Sequence, residues 1–254
     1  MFAVKLLDTA AVAWSSVLAA PFIGSFLGVV VRRLPEGRPI AWSRSHCEGC
    51  GARLGVRDLV PLFSWLAGRG RCRFCGRPLE WFYPLIELAA LAVALISLFV
   101  DNGADVWLDC LLGWWLLTLA WIDVRCWLLP DSLTLPLIIA GLAAAAAFDP
   151  EGLTDRAFGA AAGYLGLRMV ALIYRALRGR DGLGGGDAKL LAAAGAWVGL
   201  RALPQVVLLA ALAGLLAAAC LRLSGIRLDA QSAIPFGPFL ALAIWLLWLM
   251  PALI

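Results

Sequence analysis

Charge is scarce in this chain. Asp, Glu, Lys and Arg make up 15% of its 254 residues, against 63% hydrophobic residues. Soluble domains carry roughly a quarter charged residues and about half apolar ones, so a soluble globular fold is excluded and the chain is read as an integral membrane protein. Its net charge is only +4, and no nucleic-acid partner is expected. Histidine is nearly absent, His46 standing alone. The first apolar run has only Lys5 before it and ends in Arg32-Arg33 instead of a small-residue cleavage site. It therefore reads as a retained helix and not as a signal peptide.

What the chain has instead is long apolar runs. About 20 apolar residues cross the ~30 Å hydrocarbon layer. Eight stretches qualify, at roughly 10–31, 82–100, 106–122, 128–148, 157–178, 188–200, 204–221 and 236–254, the sixth being short. The expected fold is an all-α polytopic membrane protein of about eight transmembrane helices, with a small loop domain between the first two. Basic residues orient it. Residues 32–80 hold ten of the 21 Lys and Arg against four acids, so that loop faces the cytoplasm. The loops 101–105 and 149–156 carry five acids and one Arg, and face outward. Arg175, Arg178, Arg180, Lys189, Arg222 and Arg227 place 175–189 and 222–229 inside. Eight spans then alternate without contradiction, with both termini outside.

The cytoplasmic loop contains CEGC, 21 intervening residues and CRFC. Two such knuckles fit four thiolates, Cys47, Cys50, Cys72 and Cys75, around one tetrahedral zinc. The loop is too small for an apolar core, and a metal would supply its folding energy. With the tetrahedron filled, His46 reads as a surface residue. Cys110, Cys126 and Cys220 read as buried thiols.

Inside the apolar remainder, GGGDAK (184–189) places Asp187 at the cytoplasmic mouth of the sixth run. Gly184, Gly185 and Gly186 allow positive φ and close backbone approach, so they read as a bare edge for an extended substrate. A second acid, Asp123, ends the third run at the same face, in WIDVRCWLLPD. Paired carboxylates share a proton, and one can act as base on water while the other acts as acid. The competing reading is two helix caps or headgroup contacts. Helix-end polarity biases the shared proton toward Asp123, which closes its helix while Asp187 opens one.

Other polar residues in or near the apolar runs are Asp131, an expected helix N-cap, Lys189, and two intramembrane groups, Glu87 and Arg168. Gly159/Gly163 and Gly195/Gly199 have the spacing of close helix packing.

Taken in order, GSFLGVVVRRLP (24–35), the two knuckles, GRCRFCGRPLEWFYPLIEL (70–88), WIDVRCWLLPD (121–131), GGGDAK (184–189) and PFGPFL (235–240) resemble the bacterial prepilin peptidases. These belong to the membrane aspartic proteases with a GxGD signature and serve type IV pilus and type II secretion systems. The resemblance places Asp123 and Asp187 on the catalytic pair. Gly184, Gly185, Gly186, Lys189, Asp131 and Glu87 are the expected supporting or substrate-binding residues. It implies cleavage of a short basic leader, after a Gly and ahead of an apolar helix, from prepilins or pseudopilins at the cytoplasmic face of the bacterial inner membrane. It further implies N-methylation of the new terminus with S-adenosylmethionine. Gly28 stands where that family usually has Asn, and CEGC where it has Cys-Pro-x-Cys. The expected domains are a first transmembrane helix (1–31), a zinc-binding domain (32–81) and a transmembrane aspartic peptidase domain (82–254). A non-catalytic membrane scaffold whose zinc loop docks a partner is the alternative.

Overall fold

The computed structural model describes residues 2–41, 45–47, 49–101, 103–179, 184–225 and 234–253, with side chains from residue 10 onward. Arg180 and Arg227, used above for sidedness, and Glu48 of the first knuckle lie outside the described residues. Among the described residues the protein is helical, with only two isolated β-bridges. The helices are α1 (Phe2–Arg33), the short α2 (Phe63–Ala67), α3 (Phe82–Val100), α4 (Asp105–Cys126), α5 (Asp131–Phe148), α6 (Leu153–Arg178), α7 (Gly185–Val198), α8 (Leu203–Leu223) and α9 (Gly237–Leu249).

Six of these, α1, α3, α4, α5, α6 and α8, are long and apolar enough to cross a membrane. The runs expected around 188–200 and 236–254 become α7 and α9, of 14 and 13 residues. At 1.5 Å per residue each reaches only about 20 Å, short of a full crossing. The chain divides into two compact units, residues 1–118 and 119–254.

In the first unit α3 lies against α1. Its inward stripe is Phe82, Ile86, Ala90, Val93, Ala94 and Ser97, the i, i+4 repeat of one helix face. Gly24 of α1 sets the distance between the two. A β-carbon there would come within 2.7 Å of Glu87 Cα and 3.0 Å of Ala90 Cβ. The first half of α4 is fastened by indole donors. Trp114 Nε1 gives a hydrogen bond to Ala90 O at 2.9 Å and Trp107 Nε1 to Val12 O at 3.1 Å.

In the second unit the short α7 is the core. Every residue from Leu190 to Trp197 is buried, so no single face of it is polar. Small residues let its neighbours close in: five of those eight are Ala or Gly. A β-carbon on Gly195 would overlap the backbone of Gly159 in α6, at 2.1 Å, and one on Gly163 would meet Leu191 O at 2.5 Å. The glycine spacings in the sequence are thus sites of helix-to-helix contact. Trp197 closes the far end of α7 by donating Nε1–H to Leu137 O of α5 at 2.9 Å.

Candidate active site and metal centre

Asp123 lies in the last turn of α4 and Asp187 in the first turn of α7. Both are buried, at 7% and 9% exposure, yet both line one cavity of about 480 Å³ in the second unit. The two carboxylates are close enough for their charges to interact. The cavity is completed by Trp127 to Asp131, the connection from α4 to α5, and by Gly184 to Gly186 and Lys189. Seven of the eight residues expected as catalytic, supporting or substrate-binding therefore line one cavity. Glu87 is the exception and lines a cavity of the first unit.

Three details differ from the sequence reading. Gly185 and Gly186 are not a bare extended edge. They form the first turn of α7, and none of Gly184, Gly185 and Gly186 adopts a positive φ. Gly186 is needed for closeness instead, because a β-carbon would sit 2.8 Å from Leu129 Cβ. Asp131 is not the N-cap of α5; Pro130 holds that position. Asp131 instead accepts a hydrogen bond from the Lys189 ammonium, so these two charges neutralise each other at the rim.

The third difference concerns the pair itself. Gly237, the first residue of α9, donates its N–H to Asp123 Oδ2 at 3.0 Å. Asp123 thus stands at the C-terminal end of α4 and the N-terminal end of α9, whose polarities oppose. Asp187 is the third residue of α7 and takes a backbone hydrogen bond from Gly184, as an acid at that position does in a capping box. Both aspartates therefore meet a helix N-terminus. Helix-end polarity does not separate them, and the expected bias of the proton toward Asp123 loses its basis. Sequence reasoning gave Gly237 no role. Its one signal was a Gly-Pro pair opening an apolar helix.

The cysteine loop folds as two equivalent knuckles. Cys47 N–H bonds Ala52 O and Gly51 N–H bonds Cys47 O; in the second knuckle Cys72 N–H bonds Arg77 O and Gly76 N–H bonds Cys72 O. Gly51 and Gly76 turn the chain at φ +70 and +68, the left-handed region that glycine enters freely. The four Sγ atoms lie within 4.8 Å of one another, and Cys47 and Cys75 are 3.9 Å apart. Zn–S bonds of about 2.3 Å in a tetrahedron require S–S separations near 3.8 Å, so the four thiols fit one metal ion. Hydrogen bonds from the backbone N–H of Cys50 and of Gly49 lower the Cys47 thiol to about 6, while burial and the neighbouring thiols raise Cys75 to about 11, so without a metal the negative charge in the cluster rests first on Cys47. His46 is exposed and belongs to a bridge with Arg53, outside the four-thiol cluster.

A second cavity of about 570 Å³ lies between the cysteine loop and the adjoining ends of α1 and α3. Ser25, Gly28, Phe63, Trp65, Tyr83 and Glu87 are among its walls. The volume lies within the range of small-molecule sites, roughly 300–1,000 Å³.

Comparison with known proteins supplies the remaining finding. Residues 18–100 match the bacterial peptidase A24 N-terminal domain, and residues 110–219 match the type IV leader peptidase family. The prepilin leader peptidase/N-methyltransferase of Burkholderia pseudomallei (strain 1026b) is 42% identical over 246 residues, covering 86% of this chain and 79% of that protein. The protein of the same name from Dickeya chrysanthemi is 42% identical over 246 residues, covering 87% and 86%. That from Aeromonas hydrophila is 40% identical over 254 residues, covering 89% and 87%. No solved structure matches the chain.

Proposed function

The chain belongs to the type IV leader peptidase family, and on that premise we propose that it removes the leader of prepilins or pseudopilins with Asp123 and Asp187 and then N-methylates the new terminus. The observation that carries the peptidase assignment is the meeting of two buried carboxylates, from α4 and α7, in one cavity. Two buried carboxylates that face one cavity do not both ionise easily, and on this reading they share a proton. The ionised member takes a proton from water, and the protonated member gives one to the leaving amide nitrogen. Gly237 N–H fixes the orientation of Asp123. Burial of both side chains limits the bulk water that would screen them.

The substrate's cleavage site enters from the side where arginines are concentrated, the cytoplasmic face, and its apolar helix stays in the bilayer. The four-thiol cluster holds a structural zinc through Cys47, Cys50, Cys72 and Cys75. S-adenosylmethionine is the methyl donor, and when bound it supplies an electrophilic methyl group. The cavity of the first unit fits a nucleoside-sized molecule by volume and by its aromatic and polar walls. Replacing Asp187 by Asn tests the peptidase reading. Cleavage of a prepilin in isolated membranes falls about a thousandfold or more if the carboxylate is catalytic. A scaffold is indifferent to the change, and unchanged cleavage would refute the assignment.

A further inference from the structure

Three acids line the cavity of the first unit, and they are not equivalent. Glu80 accepts a hydrogen bond from Arg32 at 3.3 Å, and Asp58 meets Arg73 Nε at 3.0 Å. Glu87 meets no cation among the described residues. Its partners are neutral: Leu62 N–H donates to Oε2 at 2.7 Å, and the Ser25 hydroxyl is the second. Glu87 is 7% exposed and sits at the sixth position of the apolar helix α3. A buried carboxylate with only neutral donors is costly unless a cation joins it or it takes up a proton. The loop is arranged to hold it nonetheless. Leu62 has φ +59, a left-handed conformation that side-chain-bearing residues avoid, and in it the N–H points to Glu87.

We propose that Glu87 receives the α-ammonium of the mature pilin and takes its proton for methyl transfer. This rests on the methyltransferase reading above. An ammonium has no lone pair and cannot be methylated, so one proton must leave first. The Glu87 carboxylate accepts that proton. The freed nitrogen pair forms the N–C bond as the S–CH₃ bond breaks, and the sulfur keeps that bond's electron pair as a neutral thioether. The acceptor's terminus opens an apolar helix, so its amine comes to membrane depth. Glu87 is the sixth residue of the apolar helix α3, next to the arginine-rich loop that faces the cytoplasm on the sidedness argument. Arg32 engages Glu80 and Arg73 engages Asp58. Arg33, Arg38, Arg57, Arg71 and Arg77 also line the cavity, and Glu87 is its one acid shown with only neutral partners, which leaves it as the acid for an incoming cation.

The cation could instead be the cofactor's own, and the test separates the two. Purified full-length protein is supplied with mature, unmethylated pilin and S-adenosylmethionine, so that leader cleavage and its aspartates do not enter the result. Binding of S-adenosylhomocysteine is measured in parallel by calorimetry. Glu87→Gln lowers methyl transfer about 100-fold or more at pH 7. S-adenosylhomocysteine, which lacks the sulfonium charge, and S-adenosylmethionine both keep their Kd within about threefold, since the lost contact is to the acceptor. The deficit narrows above about pH 9, where an α-amine of pKa about 8 is already free. A purely structural role would give a deficit independent of pH. Transfer within about threefold of the parent overturns the proposal, as does a deficit that persists at high pH. Loss of S-adenosylmethionine affinity together with transfer moves Glu87 to the cofactor and also overturns it. If Glu87→Gln is not recovered folded, Glu87→Asp is read the same way. Its carboxylate is set back by one methylene, and at least about a tenfold loss is expected; a parental rate overturns the proposal.

Discussion

Gly237 N–H donates to Asp123 Oδ2 at 3.0 Å, across 114 positions of sequence, and a β-carbon on residue 237 would lie 2.7 Å from that same oxygen. Only glycine gives Asp123 both the donor and the space. Gly237→Ala therefore displaces the carboxylate and lowers prepilin cleavage by about 10- to 100-fold, since a misplacement near 1 Å costs that much. Gly166→Ala, on a helix position with no atom within 4 Å of the added carbon, serves as the control and leaves cleavage at the parental rate. Initial rates in isolated membranes check both.

Gly186 and Leu129 form a second close contact, 2.8 Å between the would-be and the actual β-carbons. Gly186→Ala pushes the start of α7, and Asp187 with it, away from the α4–α5 connection. Cleavage falls about tenfold or more. Leu129→Gly removes the opposing β-carbon and opens space for the new methyl, so the double variant recovers part of the loss. This coupling is what contacting residues show and distant ones do not. A double variant equal to the product of the singles would contradict the packing argument.

The Lys189–Asp131 pair has side-chain exposures of 28% and 58%. Exposed pairs of this kind contribute about 0–1 kcal/mol. Lys189→Met and Asp131→Asn are each expected to shift thermal unfolding by no more than a few degrees. If the pair shapes the rim, both lower cleavage alike and the double variant is no worse than either single one. Unequal effects on cleavage would assign one of the charges directly to substrate.

Cys72→Ser removes a buried thiol from the four-thiol cluster. Zinc content falls from about one per chain to near zero, because structural sites of this kind are closed, four-ligand sites. The metal contributes on the order of 10 kcal/mol to folding such loops, so residues 45–80 become sensitive to protease. Elemental analysis and limited proteolysis measure the two outcomes. A parent protein purified without zinc, or with the knuckles as disulfides, would contradict the assignment.

Much of this was legible in the residue order. The apolar run at 82–100 became α3 residue for residue, and those ending at 148 and 178 ended there as helices. In each case Gly, Pro or a charge ends the run. The two CxxC spacings pointed to the four-thiol cluster, because each turn brings its own pair of thiols together. Other features depend on the tertiary structure. The helix carrying Asp123 continues to Cys126, past the point where polar residues suggested an end. Gly184 to Gly186 read as a bare extended edge because glycine allows positive φ and close approach, but Gly185 and Gly186 open α7, and Leu129 needs the bareness of Gly186. Burial of α7 on every side comes from its neighbours. Nothing local announces that Gly237 or Leu62 will reach a carboxylate far along the chain.

The most direct test of the central claim compares Asp123→Asn, Asp187→Asn and the double variant, by rate of prepilin cleavage in membranes at equal protein level. If the two carboxylates act as one catalytic pair, each single change costs about a thousandfold or more, and the double variant is no slower than the worse single one, since residues acting as a unit are not additive. Cleavage near the parental rate in either single variant, or losses that multiply in the double, would contradict a shared-proton aspartyl mechanism at this site.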